Sequence, residues 1–196
     1  MIVISDSSNG YDDIADTFIQ VRSTTSGVST VQGWANRFKP GDTVLDIGSG
    51  SGLPLTKVLI DLGLKVSAID ASPKMVAAFR KNFPHTEITC EAAEESSFLH
   101  RKFDGVLAVG LIFLLSPEVQ RQLILRIADA VKPGGHLLFS APKETGSWDD
   151  LLTKRQSHSL GEDSYIHLLE SSGLVLNERY TDEGGSYYYA AARPAS

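Results

Sequence analysis

Three glycines at alternate positions, Gly48, Gly50 and Gly52, follow an acidic residue, Asp46, that stands two places before the first of them. An apolar β-type run, Thr43 to Ile47, leads into them, and a helical pattern, Leu53 to Gly63, leads away. Strand, glycine turn and helix in that order put backbone N–H groups at a helix N-terminus, a site suited to a negatively charged ligand group. Glycine serves there because the turn needs unusual dihedrals and because a ligand against the backbone leaves no room for a Cβ. Asp70 lies 22 residues beyond Gly48, at the end of a second strand pattern, Leu64 to Asp70. A βαβ unit presents a carboxylate at that point, able to accept both hydroxyls of a ribose. Its competing role is the N-cap of the next helix. Ser72 and Pro73 already supply a cap and a first-turn proline, which leaves Asp70 for a ligand.

Elements on either side must hold these groups in place. Residues 1–10 read as a loose leader, and Tyr11-Asp-Asp-Ile-Ala-Asp-Thr-Phe18 has helical spacing. A second helical pattern carries Val28, Val31, Trp34, Ala35 and Phe38 on one face, so residues 1–40 form a helical cover. Further on come a helix from Pro73 to Asn82, a strand from Glu87 to Glu91 and a strand starting at Phe103. A periodic helix from Glu118 to Val131 stops at Lys132-Pro-Gly-Gly135, before a strand from His136 to Ala141. Residues 142–161 are too long and polar for a minimal crossover and read as a substrate-facing insertion, with Trp148 and His158 its notable side chains. The default reading of His158 is a solvent-exposed loop residue. A helix from Glu162 to Ser172 and two strands, Leu174 to Tyr180 and Ser186 to Arg193, close the chain. Tyr187, Tyr188 and Tyr189 alternate across the last strand, so at most one face should line a pocket. Cys90 reads as a small buried apolar residue.

Spacing separates the glycine turn from two relatives. A dinucleotide fingerprint would need glycine where Leu53 stands, and a P-loop would need Gly-Lys-Ser/Thr, whereas the first lysine after Gly52 is Lys57. The stretch Val44 to Leu53 instead resembles the first motif of the class I S-adenosylmethionine-dependent methyltransferases. Ile69-Asp-Ala-Ser-Pro-Lys-Met75 looks like their second motif, Phe103-Asp-Gly-Val106 like their fourth, and Lys132-Pro-Gly-Gly135 is a further mark. The likeness runs over roughly residues 11–193. It implies one domain over residues 1–196 with a Rossmann-like α/β fold. The expected sheet is doubly wound, seven-stranded and mostly parallel, in the order 3-2-1-4-5-7-6 with strand 7 antiparallel and helices on both faces.

The resemblance also implies a cofactor, S-adenosyl-L-methionine. Gly48, Ser49 and Gly50 would receive its methionine portion, loop N–H groups and the helix terminus facing the carboxylate. Asp46 would shape the loop, Asp70 with Ala71 would hold the ribose, and Ala93 with Glu94 would frame the adenine. The backbone carbonyl of Val109 would lie near the amino group. The family's adenine-side loop commonly reads Gly-Asp-Ala; here Ala92 replaces the acid, with Glu94 or Glu91 as substitutes. Tyr11, in a Tyr-Asp-x-Ile-Ala stretch, is either a wall of the site or core packing. With Trp148 and His158 it forms the substrate-side set. No general base is assignable, His158, Asp182 and Glu183 being bare candidates, and no metal is expected.

The reaction implied is in-line transfer of a methyl group to a small-molecule acceptor, giving S-adenosylhomocysteine. Two alternatives stand beside it: a methyltransferase-like protein that binds cofactor without turnover, and a nicotinamide-dependent oxidoreductase. A net charge of −6 offers no electrostatic footprint for nucleic acid. The lone Cys90, the absence of a long apolar run and a start too short for a signal segment suggest a cytoplasmic protein without membrane insertion. Oligomeric state is not readable from the sequence.

Overall fold

The computed structural model describes residues 6–195; the expectation about a leader at residues 1–5 lies outside them. Six helices, α1 (Ala15–Val21), α2 (Val28–Ala35), α3 (Leu55–Asp61), α4 (Pro73–Asn82), α5 (Pro117–Ala130) and α6 (Glu162–Ser171), alternate with nine strands. The strands are β1 (Thr43–Ile47), β2 (Lys65–Asp70), β3 (Glu87–Cys90), β4 (Phe103–Ala108), β5 (Val131–Ser140), β6 (Gly146–Asp149), β7 (Gln156–Ser159), β8 (Val175–Thr181) and β9 (Tyr187–Ala192). Seven of them make one sheet in the order β3-β2-β1-β4-β5-β9-β8, with β9 antiparallel to both neighbours. This is the expected topology, β8 and β9 being its sixth and seventh strands.

Strand alternation divides the core. Leu45 and Ile47 of β1 face Leu123, Ile124 and Ile127 of α5, and Tyr165 and Leu169 of α6. Val44 faces Trp34 of α2 and Leu55 and Leu59 of α3. Asp46 shares the Val44 face and therefore points at α3. α4 begins as its sequence requires: Ser72 Oγ accepts from Met75 N–H at 3.1 Å and Pro73 fills the first turn.

Several local expectations change. The first helix starts at Ala15 rather than Tyr11. The segment before it is not loose: Asp6 accepts from Ser8 and Gly10 N–H and pairs with Arg155 at 2.7 Å. Asp12 accepts from Ser72 Oγ at 2.6 Å and Lys74 N–H at 3.0 Å, fastening this segment to the start of α4. α3 begins at Leu55, two residues late, and is only seven residues long. Cys90 is exposed, because β3 is the outermost strand and has a neighbour on one side only. Residues 142–161 hold an antiparallel ribbon, β6 paired with β7, in place of an irregular loop. Among the described residues no helix is long and apolar enough to cross a membrane.

Candidate active-site cavity

A cavity of about 1040 Å³ opens at the carboxyl ends of β1, β2, β4 and β5, where the strand order reverses between β1 and β4. Open α/β sheets bind ligands at that crevice. The volume stands at the top of the roughly 300–1,000 Å³ range usual for small-molecule sites, enough for two ligands side by side.

Gly48, Ser49, Gly50, Asp70, Ala71, Ala93, Glu94 and Val109 line the cavity, as do Tyr11 and Trp148. Asp46 and His158 do not. Asp46 is 4% exposed beneath the glycine turn and accepts from Thr56 Oγ1 of α3 at 2.6 Å. Burial pushes its pKa up to about 6, with Asp70 adding to the rise and the Thr56 hydroxyl opposing it. It is a brace for the turn. His158 pairs with Ser147 across the ribbon, while Trp148 pairs with Ser157 on the opposite face. Alternation therefore turns the imidazole away from the cavity, where Nδ1 meets Ser147 Oγ at 2.8 Å.

The three glycines divide by role. Gly48 and Gly50 line the cavity and Gly52 does not. A Cβ on Gly52 would stand 2.4 Å from Phe83 and 2.9 Å from Phe79, so this glycine lets α4 approach the turn. Three of the turn's amides already have partners. Gly48 and Ser49 N–H both donate to Ile69 O, at 2.9 and 3.2 Å, and Gly50 N–H donates to Asp70 Oδ2 at 2.8 Å. These amides tie the turn to the end of β2. The sequence has them facing a ligand; in the structure they already have partners within the protein, and α3 starts late and is short.

Asp70 is not wholly free for a ligand either. Oδ1 accepts from Ser72 N–H at 2.9 Å while Oδ2 holds Gly50, leaving each oxygen one further lone-pair direction. Burial raises its pKa, and the two N–H groups oppose the rise.

Positive charge comes from a residue the motifs do not name. Arg22, half-buried just after α1, lines the cavity and donates through Nε to Leu53 O at 3.3 Å. It makes no ion pair with any described carboxylate. Burial lowers its pKa, with Tyr188, Asp46 and Tyr11 opposing the fall. Ser49 Oγ, buried in the turn, also has no partner among the described residues. An unpaired guanidinium and an unpartnered hydroxyl suit an anionic group lying between them.

On the far side of the turn, Ala93 and Glu94 reach the cavity, while Ala92 is buried and Glu91 accepts from Ser96 Oγ at 2.7 Å. Of the two substitutes for the missing acid, only Glu94 is in place. Arg126 of α5 shapes this loop: its guanidinium donates to the carbonyls of Glu94 and Ser96 and lies 5.2 Å over the Phe98 ring. Val109 leads into an apolar wall of Leu111, Phe113 and Leu114, and the Gly110 N–H after it donates to Ser140 Oγ at 2.8 Å.

Tyr187 and Tyr188 both line the cavity, although adjacent strand residues face opposite ways. The antiparallel β9 starts level with the carboxyl end of β5, Tyr188 opposite Ser140, so the cavity wraps around the strand's tip and meets both faces. Tyr189 stacks on Phe139 in the core, at 4.9 Å and 13°. Of the candidate bases, Asp182 lines the cavity, and Glu183 instead accepts from Ser29 Oγ.

Comparison with known proteins agrees with this geometry. The family model described as a methyltransferase domain matches residues 44–135, from β1 into β5. The ribosomal protein L11 methyltransferase of Campylobacter concisus is 33% identical over 123 residues, covering 60% of this chain and 40% of that protein. The chain thus spans well under half the length of that relative. In three dimensions, the CcbJ methyltransferase from Streptomyces caelestis superposes with a TM-score of 0.80 at 15% identity, covering 97% of this chain and 100% of that one. The [4+2]-cyclase SpnF gives 0.76 at 14%, covering 96% of each. With its glycine turn, its acid at the end of β2 and its seven-stranded sheet, the chain is similar to the class I S-adenosylmethionine-dependent methyltransferases: it matches a methyltransferase domain over residues 44–135 and has the fold of the solved ones.

Proposed function

We propose that the cavity binds S-adenosylmethionine and that the protein transfers its methyl group to a small-molecule acceptor, leaving S-adenosylhomocysteine. The observation that carries this is the pairing of Arg22, a cation with no ion pair among the described residues, with Asp70, a carboxylate with lone pairs to spare, in one cavity. Arg22 and Ser49 Oγ would hold the methionine carboxylate, Asp70 the ribose hydroxyls, and Ala93 and Glu94 the adenine edge. The sulfonium, when bound, supplies an already activated methyl group. The protein's part is then to align the partners and exclude water, a task suited to Leu111, Phe113 and Leu114. Among the described residues no histidine or cysteine lines the cavity, which favours an acceptor that needs no proton removed before it attacks.

Calorimetric titration with S-adenosylhomocysteine and, separately, with NADH tests the assignment. Wild-type protein should bind the first and not the second. Asp70→Ala and Arg22→Met should each weaken binding about tenfold or more, the loss of charge-assisted hydrogen bonds. No binding to wild type, or a preference for NADH, sinks the assignment. Because a cyclase shares the fold, a second reading, binding without methyl transfer, gains if the ligand binds and a broad acceptor panel is never methylated.

A further inference from the structure

The acceptor half of the cavity is walled by Tyr11, Phe113, Leu114, Trp148, Leu151 and Tyr187. Phe113 and Trp148 face each other with ring centroids 6.0 Å apart and planes tilted by 36°, a shape suited to a flat apolar molecule. Its polar atoms follow one rule. Each tyrosine lining the cavity gives its hydroxyl proton to a carboxylate: Tyr11 to Asp150 at 3.3 Å, Tyr187 to Glu162 at 3.1 Å and Tyr188 to Asp182 at 2.8 Å. The carboxylates are themselves anchored. Asp150 Oδ1 accepts from Leu152 and Thr153 N–H, Asp182 Oδ1 from Gly184 and Ser186 N–H, and Glu162 is paired with Arg179 and Lys143. A phenol whose single proton is committed has only lone pairs left for a ligand. Lys143, the cation at this rim, is already matched by Glu162 at 3.6 Å.

A wall of this kind selects a ligand that donates hydrogen bonds, and its phenols offer an anion nothing. From this we infer that the methyl acceptor is a planar, weakly basic amine, an arylamine or amino-substituted heteroaromatic. The inference rests on the methyl-transfer reading above. An uncharged amine points its N–H at a tyrosine oxygen and keeps its lone pair for the methyl carbon. That lone pair forms the new N–C bond as the C–S bond yields its electron pair to sulfur. The positive charge passes from sulfur to nitrogen, and the surplus proton then leaves the product amine for water. A hydroxyl acceptor must shed its proton before or during attack, and the three tyrosines are poorly placed to take it.

The test is calorimetric titration of aminoquinoline, hydroxyquinoline and quinoline carboxylate, matched in ring position, into protein saturated with S-adenosylhomocysteine. The amine should bind about tenfold more tightly than the carboxylate, the difference expected of one well-made hydrogen bond, and of the two donors, amine and hydroxyl, only the amine should be methylated when S-adenosylmethionine replaces S-adenosylhomocysteine. Trp148→Ala should weaken all three, and the double variant Tyr11→Phe with Tyr187→Phe should erase the amine's margin alone. Equal or tighter binding of the carboxylate compound, or methylation of the hydroxyl compound, overturns the inference. So does failure of all three to bind, or a margin that survives loss of both phenols. Failure of S-adenosylhomocysteine itself to bind is a separate result, which removes the methyl-transfer reading and this inference with it.

Discussion

Two alanine substitutions in one turn should separate stability from ligand binding. Gly52 has φ +80° and Gly50 φ +58°, so alanine at either pays a left-handed backbone penalty of about 1 kcal/mol. Their surroundings differ. The new methyl at position 52 would meet Phe83 Cε2 at 2.4 Å and two atoms of the fully buried Phe79 ring at 2.9 Å, which forces α4 or its rings to shift. Overpacking of that order costs about 1–3 kcal/mol. Taking about 3 kcal/mol in all, Gly52→Ala should lower the melting temperature by roughly 6–12 °C in a chain of this size. At position 50 the nearest atom is Met75 Sδ at 4.0 Å and the cavity lies beyond, so only the backbone penalty remains, roughly 2–4 °C. Scanning calorimetry gives the melting temperatures, and titration with S-adenosylhomocysteine gives affinity. Gly50→Ala should lose about tenfold or more in affinity while staying folded. A Gly52→Ala protein that melts within 2 °C of wild type, or a Gly50→Ala protein that binds normally, would refute the division of the turn into a packing glycine and a ligand glycine; these limits are about the size of one weak effect.

Other perturbations follow from the same geometry. Asp46 has a folded pKa near 6, above its unfolded value, so its contribution is fully present below the unfolded pKa and is lost as pH rises through 6. Asp46→Asn should therefore be more stable than wild type at pH 7.5, by up to about 3 kcal/mol, with the gap closing by pH 4; urea melts across that range check it. Arg126→Lys cannot reproduce a guanidinium that serves two carbonyls and stacks on Phe98, and should weaken S-adenosylhomocysteine binding without unfolding the protein. Unchanged affinity would show that α5 does not set the adenine-side loop. Ser72→Ala removes both the cap of α4 and its tie to Asp12, and chemical denaturation should register a loss of about 1–2 kcal/mol.

The parts of the fold readable in advance were those whose signals are local. Apolar runs marked β1 and β2, a periodic stretch ended by Lys132-Pro-Gly-Gly135 marked α5, and the glycine turn announced the cavity between them. Readings failed where the decisive partner is distant in sequence. Nothing near Gly48 reveals that Ile69 O and Asp70 consume the turn's amides. Arg22 sits at a helix end where a basic residue usually means nothing, and it matters only because it faces a cavity built from other segments. The ribbon is polar, without apolar alternation, since its inner contacts are few: Trp148 with Phe113, and His158 O accepting from Gln120 Nε2 at 2.9 Å. Tyr187 and Tyr188 reach the cavity together only because β9 runs against its neighbours and begins at the rim.

The ribbon that supplies Trp148 lies outside the stretch matched by the methyltransferase family model, which stops at residue 135. Its anchors are few and peripheral: Asp150 to Tyr11, Arg155 to Asp6, and one carbonyl to α5. None of them passes through Asp70, Arg22 or the glycine turn. Under the proposed function, selection can therefore rewrite the hairpin, and with it the acceptor wall, without touching the residues proposed to grip the donor. The molecule works as a fixed chuck with an exchangeable tool.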